Sequence, residues 1–233
     1  SNRQLAHMKH LLQFLMIFSL GAAFAQPISV ATTQTPQQLV DNVLLGFGVT
    51  AFNVTINGNP ALANTAQGNV GYFTNTNPLF PINNGLILTT GNASAAVGPN
   101  SGTSFTNNNP PTSSVSTDPH LNDIAAGSVT NGVVLEFDFI PSGDTLNFNY
   151  MFGSDEYPEF SPSSFNDAFG LFLWGPGISG PYVLAGYPNG GANIATIPGG
   201  IPVTINNVGD ANNTQYYVFN EASSTLTYGD AIQ

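Results

Sequence analysis

Apolar and polar residues alternate along much of the chain from Phe47 onward, a pattern typical of strands with one buried face. The clearest case is a pair of alternating runs, residues 133–140 and 145–152, on either side of the turn Pro141-Ser142-Gly143-Asp144. We predict that these runs form a β-hairpin, because residues that favour tight turns separate them. The same pattern predicts strands at 49–56, 70–74, 85–90, 132–140, 145–153, 168–174, 182–185, 203–206 and 215–220.

Helix signals are confined to one short segment near the start of the chain. Thr35 can cap a helix that begins at Pro36, and Gln38 completes a capping box. The apolar face that follows is short and ends at Gly46 and Gly48. Many short strands, Gly- and Asn-rich turns and a single short helix predict an all-β fold, specifically a jelly-roll-like β-sandwich.

A long polar stretch interrupts the strand pattern between residues 91 and 131. It is rich in Ser, Thr, Asn and Pro and carries His120 beside Asp118 and Asp123. Connections of this length are uncommon inside compact domains, so we predict a mobile surface loop. A lone histidine in such a loop is expected to be solvated rather than a metal ligand or a catalytic base.

The first 25 residues do not fit the strand pattern. Residues 8–25 combine a basic start at Lys9, an apolar stretch and the small-x-small sequence Ala23-Phe24-Ala25, which together predict a secretory signal peptide. Residues 1–7 lie upstream of Met8 and take no part in the fold prediction. We therefore expect a single domain over residues 26–233 in an exported protein.

Charge and composition exclude several classes of function. The chain has thirteen Asp and Glu but only two basic residues, Arg3 and Lys9, and both precede the predicted cleavage site. Nucleic acids and anionic membranes are therefore not expected partners, since binding to phosphate needs a basic surface. The chain contains no cysteine, which excludes disulfides, thiolate nucleophiles and cysteine-based metal centres. With His120 as the remaining histidine, a multi-histidine metal site is excluded as well.

The segment from residue 154 to residue 167 is the candidate functional site. It carries four acids between two predicted strands, namely Asp155, Glu156, Glu159 and Asp167. Ca²⁺ takes roughly six to eight oxygen ligands from such carboxylates, from Asn side chains and from backbone carbonyls. Because no Lys or Arg is available to neutralise these acids, we predict a calcium site at Asp155, Glu156, Glu159 and Asp167.

Two alternatives remain open for this acidic segment. The carboxylates can point into water and simply keep the protein soluble. They can also serve a glycoside hydrolase or a carbohydrate-binding module, since glycosidases use two acids on either side of the scissile bond. In that case Tyr157, Phe160 and Trp174 would supply a surface on which sugars stack.

Several segments resemble a known family, the choice-of-anchor L domain. The strongest matches are FNYMFGSDEYPEF and SFNDAFGLFL around the acidic segment. PQQLVDNVLLGFGVTAFNVT, NNGLILTTGNAS and NIATIPGGIPVTINNV support them in the expected order. The resemblance implies an exported bacterial surface protein, of a kind common in Bacteroidota, and it brings no catalytic residues and no established enzymatic activity.

The resemblance and the composition together predict a non-enzymatic, adhesin-like or structural module that is secreted or displayed on the cell surface. Its expected partner is an extracellular protein or a glycan, and the mature domain is not expected to insert into a membrane. Residues up to Gln233 contain no LPxTG-like motif and no terminal hydrophobic tail. We therefore expect the domain to be truncated at its C-terminus and the anchoring segment to lie outside this chain.

Overall fold

Antiparallel β-structure dominates the computed structural model, which describes residues 28–60, 68–76, 81–97, 115–158 and 160–219. The predicted all-β class is confirmed, although the strands form small sheets of two or three members. The predicted signal peptide, Glu159 and residues 220–233 lie outside the described ranges. The strands are β1 Ile28–Ala31, β2 Thr50–Ile56, β3 Val70–Asn75, β4 Asn84–Leu88, β5 Leu135–Ile140, β6 Ala168–Phe169, β7 Phe172–Leu173, β8 Tyr182–Leu184, β9 Tyr187–Asn193, β10 Thr196–Ile197 and β11 Ile201–Thr204.

The predicted N-terminal helix is present as α1, Pro36–Leu39, and continues into a π-helical turn, Val40–Leu44. The Thr35 side chain accepts a hydrogen bond from the backbone N–H of Gln38, whose own side chain accepts one from the backbone N–H of Thr35. This capping box satisfies N–H groups that a helix start otherwise leaves unpaired. Leu39 and Val40 are fully buried, so α1 packs its apolar side onto the sheets.

Two sheets enclose the N-terminal core. One has the order β1-β3-β4 and the other pairs β2 with β5, all antiparallel. β1 approaches β3 so closely that a Cβ atom on Gly71 would lie 2.8 Å from the carbonyl oxygen of Ala31. A bulge in β2 coincides with the positive φ of 55° at Asn53, which Asn tolerates better than most residues.

Helix α1 divides its buried side chains between two small core clusters. Leu39 packs with Ile56 and Val70, while Val40 packs with Ala51 and Val54. Leu135 of β5 lies against both clusters. Removing these side chains from water supplies most of the energy that holds α1 to the β2–β5 pair.

The C-terminal half contains two further sheets, with orders β10-β11-β6 and β7-β9-β8. β6 and β7 follow each other closely in sequence but join different sheets. A second helix, α2, spans Pro119–Ala125 and has contacts with both β6 and β11. Its start repeats the logic of α1, because Asp118 caps it and proline occupies the first turn.

The predicted hairpin between residues 133–140 and 145–152 is not formed, and this prediction was wrong. β5 pairs with β2 instead, in a register that sets Thr50 opposite Ile140. Alternation specifies which face of a strand is buried but not which strand lies beside it. Pairing with β2 places Leu135 and Phe137 against the core beneath α1, which explains the choice of partner.

Two other strand predictions need correction, one in detail and one entirely. The predicted strand 168–174 divides into β6 and β7 around Gly170, and 215–220 carries a 3₁₀ turn at Thr214–Tyr216 in place of a strand. The predicted loop 91–131 contains α2 and a 3₁₀ turn at Ala93–Val97, while residues 98–114 lie outside the described ranges. β1, β9 and β10 were not predicted.

Within the described ranges, none of the helices has the length and the apolar character needed to cross a bilayer.

Candidate functional site

The acidic segment lies between residue 153 and β6, and the structure describes three of its four predicted ligands. Asp155 and Glu156 are half-buried in a turn, and Asp167 is exposed immediately before β6. Glu159 is outside the described residues. The peptide bonds preceding Pro158 and Pro162 are cis.

Ser154 joins the two ends of this segment. Its side chain is buried, and its hydroxyl donates a 2.7 Å hydrogen bond to Oδ2 of Asp167. The hydroxyl oxygen of Ser154 also accepts a 3.1 Å hydrogen bond from the backbone N–H of Glu156. One buried hydroxyl therefore connects the turn that carries Glu156 to the strand entrance that carries Asp167.

The carboxylates of Glu156 and Asp167 are electrostatically coupled. Burial raises the pKa of Glu156, and the negative charge of Asp167 raises it further. Residues 26–233 contain no Lys or Arg, so no basic side chain of this part of the chain can offset the repulsion. The site is one in which negative charge accumulates without a protein counter-charge.

Tyr157 anchors the turn in the C-terminal part of the structure. Only 3% of the side chain is exposed, and its hydroxyl donates a short hydrogen bond to the carbonyl oxygen of Val208. Its ring lies 4.9 Å, centroid to centroid, from that of Tyr217. Burial, first of all, raises the pKa of Tyr157, and electrostatic interactions with Tyr217, Asp167 and Asp210 raise it further. The phenol therefore stays protonated and keeps its role as a donor.

Asn166 and Asn206 form a second set of structural contacts beside the acids. The amide nitrogen of Asn166 donates 2.8 Å to the carbonyl of Ala125 in α2, and its Oδ1 accepts from the backbone N–H of Asn206 at 3.1 Å. Asn206 in turn holds both backbone groups of Ser163, at 2.8 and 2.7 Å. The Asn166 side chain thus binds protein groups on both of its ends, which ties α2 to β11 and the acidic segment.

The predicted four-acid calcium site is only partly visible in this arrangement. The structure brings Glu156 and Asp167 into electrostatic contact, and Asp155 lies in the same turn. Among the described residues, no group of three or more histidine or carboxylate side chains is arranged to hold a metal ion. A site made of these three acids and Glu159 therefore stays a prediction.

The aromatic side chains proposed for sugar stacking are engaged elsewhere. Tyr157 is buried against Tyr217, and Phe160 packs edge-on against Phe165 with centroids 5.6 Å apart. Trp174 is half-buried, and its indole nitrogen donates 2.9 Å to the carbonyl of Tyr182. Of the three rings only Tyr157 is buried, whereas Phe160 and Trp174 are half-buried and Phe165 beside Phe160 is 60% exposed.

The sequence did not predict the aromatic cluster around His120. The His120 ring lies 5.1, 5.5 and 5.7 Å from the rings of Phe172, Trp174 and Tyr182, and its Nε2 is 3.0 Å from the carbonyl oxygen of Val183. The prediction of a solvated loop histidine was therefore wrong. His120 is half-buried, because α2 places its ring against the aromatic rings of Phe172, Trp174 and Tyr182. The capping sequence Asp118-Pro119 was the available signal for this helix.

A family model for the choice-of-anchor L domain matches residues 28–231. The matched range includes the acidic segment and the helices and strands that the structure describes. No curated protein and no solved structure matches the chain. Because the family match covers nearly the whole sequence, the chain belongs to the choice-of-anchor L domain family and is by that membership an exported surface module.

Proposed function

We propose that the chain is a non-enzymatic, adhesin-like module of the cell surface whose acidic segment is stabilised by Ca²⁺. The observation that carries the proposal is that the Ser154 hydroxyl joins the backbone N–H of Glu156 to the carboxylate of Asp167, whose charge raises the pKa of Glu156. Two acids are held near each other where no basic side chain can neutralise them. A divalent cation bound between the two carboxylates would remove that repulsion. Carboxylate oxygens are also the ligands that Ca²⁺ prefers.

The proposed ion site uses Asp155, Glu156, Glu159 and Asp167, together with backbone carbonyls and water. The turn and the entrance of β6 belong to parts of the chain that are separated in sequence. An ion that bridges them adds to the Ser154 hydrogen bond and stabilises the folded state only. In this proposal calcium stabilises the folded, exported module and takes no part in a reaction.

Binding, rather than hydrolysis, is the role that the side chains around the acids favour. Tyr157 and Asn166 are committed to hydrogen bonds within the fold. Of the rings that the glycoside hydrolase interpretation would use for stacking, Tyr157 is buried and therefore supplies no open face. An adhesin-like role requires only a stable exported scaffold and an accessible surface.

Thermal unfolding with millimolar CaCl₂ and with chelator tests the ion. A ligand at about one hundred times its dissociation constant stabilises the folded state by about 2.7 kcal/mol, which corresponds to a rise in Tm of about 5–10 °C for a domain of this size. Asp167→Asn should abolish the rise while still accepting the Ser154 hydrogen bond. Glu136→Gln, at an exposed position in β5, is the matched control and should keep it.

A panel of polysaccharides and a glycan array separate binding from hydrolysis. The proposal predicts no release of sugar from any member of the panel. Sugar release that disappears in Glu156→Gln would overturn the non-enzymatic role while leaving the family assignment unchanged.

A further inference from the structure

A groove of about 450 Å³ lies beside the segment that failed to form the predicted hairpin. One wall is built by Leu146, Phe148 and Tyr150, and the other by Leu171, Leu173 and Ile194. Tyr150 and Ile194 are 37% and 40% exposed, so apolar surface at the groove is open to solvent. Asp144 and Asn147 add polar groups to the lining.

Residues 145–153 have the side-chain geometry of a strand but pair with none of the strands that the structure describes. Leu146, Phe148 and Phe152 are half-buried, and the residues between them are exposed. Such alternation places successive side chains on opposite sides of the segment. Within the described ranges, the backbone of 145–153 makes no hydrogen bond, either to a neighbouring strand or to a side chain.

An unpaired strand backbone beside apolar pockets is a surface suited to strand addition. Backbone N–H and C=O groups are obligatory hydrogen-bonding groups, and an open edge pairs readily with an added strand. In such complexes the main chain provides affinity, and alternate side chains enter pockets and provide specificity. The second wall of the groove is held in place by hydrogen bonds. β7 and β9 are paired, and the backbone N–H of Ile194 donates a 2.8 Å hydrogen bond to the carbonyl of Leu171.

The negative charge of the chain limits which kind of partner can occupy the groove. Asp144 lies at the groove, and residues 26–233 contain thirteen carboxylates and no Lys or Arg. A second copy of this chain brings the same negative charge and is repelled. A segment with basic flanks is attracted, because complementary charge speeds encounter and suppresses wrong partners.

We infer that the groove between 145–153 and the β7–β9 pair binds an extended segment of another protein, with alternating apolar residues and basic flanks, by strand addition to 145–153. The occupant pairs its backbone with that of 145–153 and places its alternate apolar side chains against Phe148, Leu173 and Ile194. This gives the adhesin-like module a class of protein partner. The groove does not involve the acidic segment, so the inference holds with or without calcium.

Fluorescence anisotropy with a synthetic probe tests the inference on the full chain. The probe is a fluorescein-labelled ten-residue peptide of alternating valine and threonine with two lysines at each end. We expect saturable binding that weakens at least about tenfold, or about 1.4 kcal/mol, in Ile194→Lys. Val183→Lys adds the same charge at an aliphatic residue that is 77% exposed and lies outside the groove, and should leave binding unchanged.

Two further measurements distinguish strand addition from loose attraction. A probe N-methylated at every valine and threonine lacks the backbone donors needed for pairing and should not bind. Hydrogen exchange should slow at the amides of 145–153 when the unmodified probe is present, because those N–H groups become hydrogen-bonded.

The absence of saturable binding would overturn the inference, and so would an equal loss of binding in Ile194→Lys and Val183→Lys. Binding of the N-methylated probe, or binding without protection of 145–153, would overturn it as well. Concentration-dependent self-association that Ile194→Lys abolishes would assign the groove to a second copy and likewise contradict it. Loss of probe binding with the calcium-dependent Tm intact would leave the proposed function standing.

Discussion

The hydroxyl of Ser154 donates a 2.7 Å hydrogen bond to Oδ2 of Asp167, thirteen residues further along the chain. This contact closes the acidic segment, and Ser154 also accepts from the backbone N–H of Glu156. The segment between the two residues is then held at both ends, with Tyr157 fixed to Val208 in the middle. These three hydrogen bonds hold the turn that carries Glu156 beside the strand entrance that carries Asp167.

Replacement of Ser154 by alanine should destabilise the fold. Loss of the buried hydroxyl removes one donor to Asp167 and one acceptor for the Glu156 N–H, and buried groups left unpaired cost about 1–3 kcal/mol. We expect a clear fall in Tm in chemical or thermal unfolding. Ser164→Ala, at an exposed position ten residues away, is the control and should unfold as the wild type does.

Stability should depend on pH through Glu156. Because burial and Asp167 raise its folded-state pKa above the ordinary value of 4.5, the folded state binds the proton more tightly than the unfolded state. Stability from this group is therefore fully present below the unfolded pKa and is lost as pH rises through the folded pKa. Glu156→Gln should be more stable than wild type at neutral pH in chelator, and this advantage should vanish in acid. An advantage that persists unchanged at low pH would contradict the electrostatic explanation.

The Tyr157 hydroxyl should be worth a measurable amount of stability. Tyr157→Phe keeps the packed ring but leaves the carbonyl of Val208 without its donor, at a cost of about 1–3 kcal/mol. Tyr216→Phe alters a nearby tyrosine that is 46% exposed and should cost little. Equal unfolding midpoints for the two variants would show that the Tyr157 hydrogen bond contributes nothing.

The docking of α2 can be followed by fluorescence, since Trp174 is the only tryptophan in the chain. His120→Ala removes the ring that packs on Trp174, and aromatic contacts of this kind contribute about 0.5–1.5 kcal/mol each. Trp174 emission should shift to longer wavelength as water reaches the indole. Thr130→Ala, an exposed change outside the helix, should leave the emission unchanged. The same spectrum for both variants would show that the His120 ring does not shield Trp174 from water.

The sequence was sufficient to predict the class of the fold and much of its local structure. The capping box at Thr35 and the strands that became β2, β3 and β5 follow from short-range patterns, which local sequence records directly. The partner of β5 could not be predicted, because alternation fixes the buried face and leaves the neighbouring strand open. Two-residue strands such as β6 and β7 depend on their partners, so one apolar run could not reveal the break between them.

The candidate site was predictable in part for similar reasons. Clustering of acids without Lys or Arg is visible in sequence, and it is the reason why Glu156 and Asp167 were placed in one candidate site. The structural use of Asn166 depends on Ala125 and Asn206, which lie 41 and 40 residues away, and no local pattern encodes such contacts. The same holds for His120, whose aromatic neighbours come from strands more than fifty residues downstream.

The proposal that Ca²⁺ bridges the turn and the entrance of β6 is tested most directly by isothermal titration calorimetry of CaCl₂ into the chelator-treated chain. We predict saturable binding of about one ion per chain, unaffected in Glu136→Gln and lost in the double variant Glu156→Gln, Asp167→Asn. A chain that binds no calcium, or binds it equally well in the double variant, would contradict the proposal.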